Sequence, residues 1–216
     1  KSRRSSRRVE RFAFALLVSG FASAREKLPV FLADNHAETF SWIARTLDPD
    51  DTFTLVLIDA HSDASAAERS EEIREQIRRV PNLEERRKRT TTWRKSGRVQ
   101  AYNWIEPLMP RPLERVFWLA APELALPSSQ AKTEEAISSL DGRLEFEPRS
   151  SGSFGHRWTT GGLDDFENWN AGNHRIILAI DLDFFVGMSP EKRNEAFTRI
   201  WKRSMDWPNL AGVAFA

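Results

Sequence analysis

Cysteine is absent from the 216 residues, which excludes disulfides, thiolate metal sites and cysteine nucleophiles without fixing the redox compartment. No apolar run approaches the roughly 18 to 20 residues that a membrane-crossing helix needs, so no stable span is expected. An excess of either charge is missing too. With 32 basic and 31 acidic residues the net charge is +1, and nothing global marks the chain as a nucleic-acid binder. Neither an internal repeat nor a linker divides it. What is present is 40% hydrophobic residues and eight Trp, material for one well-filled domain.

Two stretches share an unusual build. Thr54 to Asp63 reads TLVLIDAHSD, and far along the chain Ile176 to Phe185 reads IILAIDLDFF. Each is a short continuous apolar run, too short for a helix, that ends in acidic residues. Such runs read as buried strands of a parallel sheet. On an extended strand alternate residues share a face, so Asp59, His61 and Asp63 are expected to point together, as are Asp181 and Asp183. Ligands of open parallel sheets collect beyond the carboxyl ends of the strands. Two acidic clusters at two strand ends therefore make a candidate metal centre.

Residues 1–27 form a basic and apolar leader. Lys1 to Arg11 holds six basic residues against one acidic, and the apolar Phe12 to Ala24 ends in Ala-Ser-Ala. That is the outline of a secretory signal over residues 1–24; an extra helix is the alternative, and a cytoplasmic location is the default. Residues 28–216 read as one domain, expected to continue past Ala216 because the sequence stops inside an apolar run. Leu28–Ala33 is expected to be a strand running into Asp34-Asn-His36, and Ala37–Leu47 a helix with Phe40, Ile43, Ala44 and Leu47 on one side. Ala64–Arg98 is polar around the stripe Ile73, Ile77 and Val80. Its basic run Arg86-Arg-Lys-Arg89 reads as a solvated helix face rather than a nucleic-acid patch. Glu114–Ala120 and Leu210–Ala216 read as strands, and Pro190–Met205 as a helix capped by Ser189. The span from Leu126 to Gly172 reads as loop, with a helix at Lys132–Leu140 and a short strand at Leu144–Glu147.

Four aspartates and an imidazole at neighbouring strand ends would repel one another if left unpaired. Two divalent cations neutralise four carboxylates, and oxygen donors mixed with an imidazole suit Mn²⁺, Zn²⁺ or Fe²⁺. A cation pair brings a bound water's pKa toward neutrality, so a nucleophile needs no Ser or Cys. Hydrolysis of a C–N bond in a small-molecule substrate, or another metal-assisted hydrolysis, fits such a centre. His156 and His174 read as solvated histidines; either could shuttle protons, and His156 could bind substrate. Asn103 could bind substrate or cap a turn.

The ordered pair Asp59-Ala-His-Ser-Asp63 and Asp181-Leu-Asp183 resembles the arginase and deacetylase superfamily. Five blocks in order, at residues 28–36, 58–63, 102–107, 116–122 and 180–185, look like the uncharacterised protein family numbered 0489, whose members are arginase-like by motif. The resemblance covers residues 28–216. It implies a three-layer α/β/α sandwich with a mainly parallel sheet, truncated at its carboxyl end. It also implies His36 as a sixth ligand beside Asp59, His61, Asp63, Asp181 and Asp183, two manganese ions, and Asp59 and Asp181 as their bridges. A one-metal, zinc-deacetylase-like site of Asp59, His61 and Asp181 is an alternative, as is an inactive binding domain. The Gly-Gly that precedes the first His in true arginases is missing, and Val186-Gly-Met-Ser replaces their Asp-Pro. Arginine as substrate is therefore not implied.

Overall fold

The computed structural model describes residues 27–120, 154 and 157–216; the leader over residues 1–24, the helix at 132–140, the strand at 144–147 and His156 lie outside them. Among the described residues six strands make one sheet: β1 (Val30–Leu32), β2 (Phe53–Ile58), β3 (Leu113–Leu119), β4 (Trp158–Gly161), β5 (Arg175–Ile180) and β6 (Leu210–Phe215). All pairings are parallel, and the spatial order is β1-β6-β5-β2-β3-β4. The helices are α1 (His36–Thr46), α2 (Ser70–Arg79), α3 (Leu83–Lys95), α4 (Leu163–Asn168) and α5 (Pro190–Met205).

Strand alternation sorts the core into two layers. Leu55, Leu57, Val116, Trp118, Ile177 and Ala179 face one side, with Phe40 and Ile43 of α1, Ile73 and Ile77 of α2 and Trp93 of α3. Val56, Ile58, Phe117, Leu119, Leu178 and Ile180 face the other, with Phe166 of α4 and Ala196 and Ile200 of α5. The result is a three-layer α/β/α sandwich with a fully parallel sheet. Every residue of β2 is buried, and so is all of β5 after Arg175. Each fully buried Val, Leu or Ile contributes about 1.5–3 kcal/mol, enough to hold the central strands in place whatever charge their tips carry.

From β2 the chain winds outward through β3 to β4, then returns through α4 to β5 on the opposite side of β2 and winds away through β6. The β2/β5 boundary is thus the point where the winding reverses, the usual location of ligands in open parallel sheets.

Most expected elements form. The α5 bounds agree with expectation, and Ser189 Oγ accepts the Lys192 N–H at 3.3 Å as its cap. β4 and α4 are additions inside the stretch read as loop. β4 is four residues at the sheet edge, too short to print an alternation, and α4 starts where Asp165 Oδ2 accepts the Gly162 N–H at 2.9 Å. The basic run departs from its expected solvated face at Arg86, which is buried at 8% exposure. Its guanidinium donates to the carbonyls of Val80 and Leu47 at the ends of α2 and α1, a use that helix periodicity does not reveal.

Packing is close where α1 lies on β6. Trp42 stacks on Phe31 with ring centroids 5.6 Å apart, and a Cβ on Gly212 would stand 2.7 Å from Trp42 Cη2. Only glycine lets this ring lie on the sheet. Gly212→Ala is expected to lower stability by about 1–3 kcal/mol, the usual cost of overpacking, read from denaturant unfolding. An unchanged midpoint would show that the stacked ring gives way freely.

Candidate metal centre

In the β2–β5 register Ile58 pairs with Ile180. The next residue on each strand is an aspartate, and the Asp181 N–H donates to Ile58 O at 2.8 Å. Asp59 and Asp181 therefore leave adjacent central strands side by side at the carboxyl edge of the sheet.

The remaining acids are aimed by turns rather than by the strand pleat. β2 ends at Ile58 and β5 at Ile180, so the expectation that alternation aligns Asp59, His61 and Asp63, and likewise Asp181 and Asp183, is corrected. Asp59 Oδ1 accepts the His61 N–H at 2.7 Å, and Asp181 Oδ1 accepts the Asp183 N–H at 2.9 Å. Each first aspartate caps the turn that carries the next polar side chain. Asp63 is left-handed, with φ 51°, a conformation that Asp tolerates better than most residues. His36 opens α1, whose cap is Asn35 Oδ1 accepting from Ala37 N at 3.0 Å.

These devices bring all six residues together. His36 Nδ1 lies 2.6 Å from Asp63 Oδ2, 3.1 Å from Asp59 Oδ2 and 3.7 Å from Asp181 Oδ2. His61 Nδ1 lies 2.9 Å from Asp183 Oδ2 and 3.7 Å from Asp59 Oδ1. Two triads result, His36/Asp59/Asp63 and Asp59/His61/Asp183, with the donor atoms of each within 4.8 Å of one another and Asp59 common to both. The first triad is sealed, its members 1–5% exposed. The second opens outward, since the His61 side chain is 59% exposed and that of Asp183 34%. Anything that reaches the cluster from solvent meets His61 and Asp183 first.

The donor set fits a cation better than it fits protons. Three carboxylate oxygens converge on His36 Nδ1, a nitrogen that carries at most one proton. Its shortest contact is to Asp63, at 2.6 Å, and among the described residues Asp59 Oδ2 has no hydrogen-bond partner. A buried carboxylate oxygen in that state is costly, and a divalent ion accepts several such oxygens at once. The two triads could therefore hold metal, and Asp and His donors suit Mn²⁺, Fe²⁺ or Zn²⁺.

The titrations show the same strain. Burial pulls His36 down, but contact with Asp59 and Asp63 outweighs it and holds the ring at about 10. Contact with Asp59, helped by the charge of Asp183, pushes His61 up to about 9. Burial drives the Asp63 carboxyl up to about 7 and raises Asp181. Asp59 is penalised by burial too, yet His36 and His61 hold it below its ordinary value.

Asn103 does not point its amide at the cluster. Its Oδ1 accepts from Gln100 N at 2.7 Å and its Nδ2 donates to Arg98 O at 3.3 Å, so it fits the turn-capping alternative. His174 sits beside Glu114, with Nδ1 3.5 Å from Oε2, at the opposite end of the strands. Residues missed by sequence reasoning are Trp104 and Trp118. Trp104 Nε1 donates to Asp63 Oδ2 at 2.7 Å, and Trp118 Nε1 to Asp59 O at 3.0 Å. The composition offered eight Trp and no reason to separate these two from core rings.

No protein-family model and no curated protein matches the chain.

In the metal-free protein His36, His61 and Asp63 keep protons to higher pH than in the unfolded chain. The folded state then binds more protons, so stability falls as pH rises. The His36 contribution is fully present below its ordinary value of 6.5 and is lost as pH climbs through about 10. Chelator-treated protein should show a thermal midpoint that declines over this window, with a shallower decline in His36→Asn. Equal slopes for the two proteins would remove His36 from the effect.

Proposed function

We propose that the chain is a metal-dependent hydrolase of the arginase and deacetylase type that cleaves a C–N bond in a small molecule. The observation that supports it best is the convergence of three aspartate oxygens on His36 Nδ1, continued through Asp59 into a second triad with His61 and Asp183. His36, Asp59, His61, Asp63, Asp181 and Asp183 would hold two divalent ions, with manganese the best match to this oxygen-rich set. Asp59, common to the two triads, would contribute to holding both ions. A cation pair bound there would supply an acidified water for attack at neutral pH and would polarise the substrate oxygen.

The protein's own residues divide the remaining work. His36, Asp59 and Asp63 form the dry floor, where electrostatic interactions are strongest. His61 and Asp183 form the mouth, where a substrate enters and where a proton can be exchanged with solvent. Phe184 and Phe185, both buried and packed edge to face at 5.1 Å, fix the turn that presents Asp183. The same six residues, and the sequence blocks around them, support membership of the uncharacterised family numbered 0489.

Calorimetric titration of chelator-treated protein with Mn²⁺ is expected to give two equivalents and a raised thermal midpoint. Because bound imidazoles must be neutral, binding should release protons and tighten with pH. Asp59→Asn, which touches both triads, should abolish at least one equivalent. Hydrolysis of amidine, amide and acetyl-amine substrates is then assayed with the loaded protein. A single equivalent points to the mononuclear site, two equivalents without turnover of any substrate to a binding domain, and no uptake of Mn²⁺, Zn²⁺ or Fe²⁺ sinks the metal reading.

A further inference from the structure

The segment from Gln100 to Pro107 touches the cluster yet supplies none of its six donors. It is zipped along the loop that follows Asp63. Ser65 N donates to Tyr102 O at 3.1 Å, Ala67 N to Glu106 Oε2 at 3.2 Å and Ser70 Oγ to Glu106 Oε1 at 2.7 Å. Arg74 closes the far end on Glu106 at 3.1 Å. Asn103 locks the turn from within through Gln100 and Arg98. Between these braces Trp104 is fully buried, its ring centroid 5.3 Å from that of His36 and its N–H on Asp63 Oδ2 at 2.7 Å.

We propose that Trp104 is a positioning residue for the metal centre, its indole N–H fixing the carboxylate of Asp63 in the orientation that the His36/Asp59/Asp63 triad needs. The role rests on the metal reading above. An indole N–H only donates, so it neither competes with Asp63 for the cation nor leaves with a proton. It occupies part of the capacity of Oδ2 and stops the carboxylate from rotating away. Asp63 needs such a restraint more than its partners do. Asp59 and Asp181 are each held by a backbone N–H two residues on, whereas Asp63 sits in a left-handed turn. Partners that hold a ligand in place are typically worth 10- to 100-fold in metal affinity. The Tyr102-Asn-Trp-Ile-Glu-Pro107 block thereby gains a purpose: Asn103 and Glu106 hold the loop, and Trp104 delivers the donor.

Trp104→Phe keeps an aromatic ring and removes the donor. Trp93→Phe makes the same cut in the same layer, where Trp93 packs edge-on against Phe40. Mn²⁺ affinity is measured by calorimetry and by the electron paramagnetic resonance signal of free Mn²⁺, well below each thermal midpoint. Trp104→Phe should weaken one equivalent at least tenfold, while Trp93→Phe stays within twofold of the unaltered protein. In an Asp63→Asn background Trp104→Phe should add nothing. If Trp104→Phe fails to fold, replacing Trp104 by its sulfur isostere benzothienylalanine deletes the N–H with the ring shape kept, and the same loss is expected. Unchanged affinity in the folded donor-less variant, equal loss in Trp93→Phe, or full loss persisting without the Asp63 carboxylate each overturns the role of Trp104 and leaves the metal centre standing. Failure of the unaltered protein to bind any divalent ion overturns the metal centre itself, and this role with it.

Discussion

Asp59 and Asp181 cannot separate. They extend two neighbouring strands whose last residues pair in register, and a main-chain hydrogen bond of 2.8 Å ties Asp181 to the strand of Asp59. The strands behind them are buried on both faces, so sliding one against the other would expose a run of apolar side chains or break the sheet ladder. Repulsion between the two acids is therefore relieved by counter-charge and not by movement. Without a metal that charge comes from protons on His36 and His61, which is why both rings are held well above the ordinary histidine range.

The rest of the site follows from where such counter-charge is available. On the inner side the groups are buried, with Asp63 held by His36 and Trp104 and one oxygen of Asp59 held by the His61 N–H. On the outer side, His61 and Asp183 face solvent. The floor is braced from the side, because the loop after β2 is pinned to the Gln100–Pro107 segment.

Much of this was legible before any coordinates. The runs Leu55–Ile58 and Ile176–Ile180 are apolar without alternation, which only a doubly covered strand tolerates. The clustered residues Asp59, His61, Asp63, Asp181 and Asp183 stand next to those runs, so their general location follows from the strand ends. Helix α5 carries its own start in Ser189-Pro190, and local signals of that kind survive in any fold. Strand β4 and helix α4 were not legible, because four and six residues are too few to establish a period. Arg86 was misread for a related reason: its partners, the carbonyls of Leu47 and Val80, are the ends of other helices.

By itself the sequence determined which segments must be buried, and it set an acidic residue directly after each of the two central strands. Those properties live in nearest neighbours along the chain. Only the tertiary structure decided that β2 and β5, far apart in sequence, lie adjacent in register, that turns rather than the strand pleat aim Asp63 and Asp183, and that two core rings, Trp104 and Trp118, also donate to the Asp63 carboxylate and to the Asp59 carbonyl. Contacts of that kind depend on distances between segments that the chain order does not encode, and they exist only once the sheet has closed.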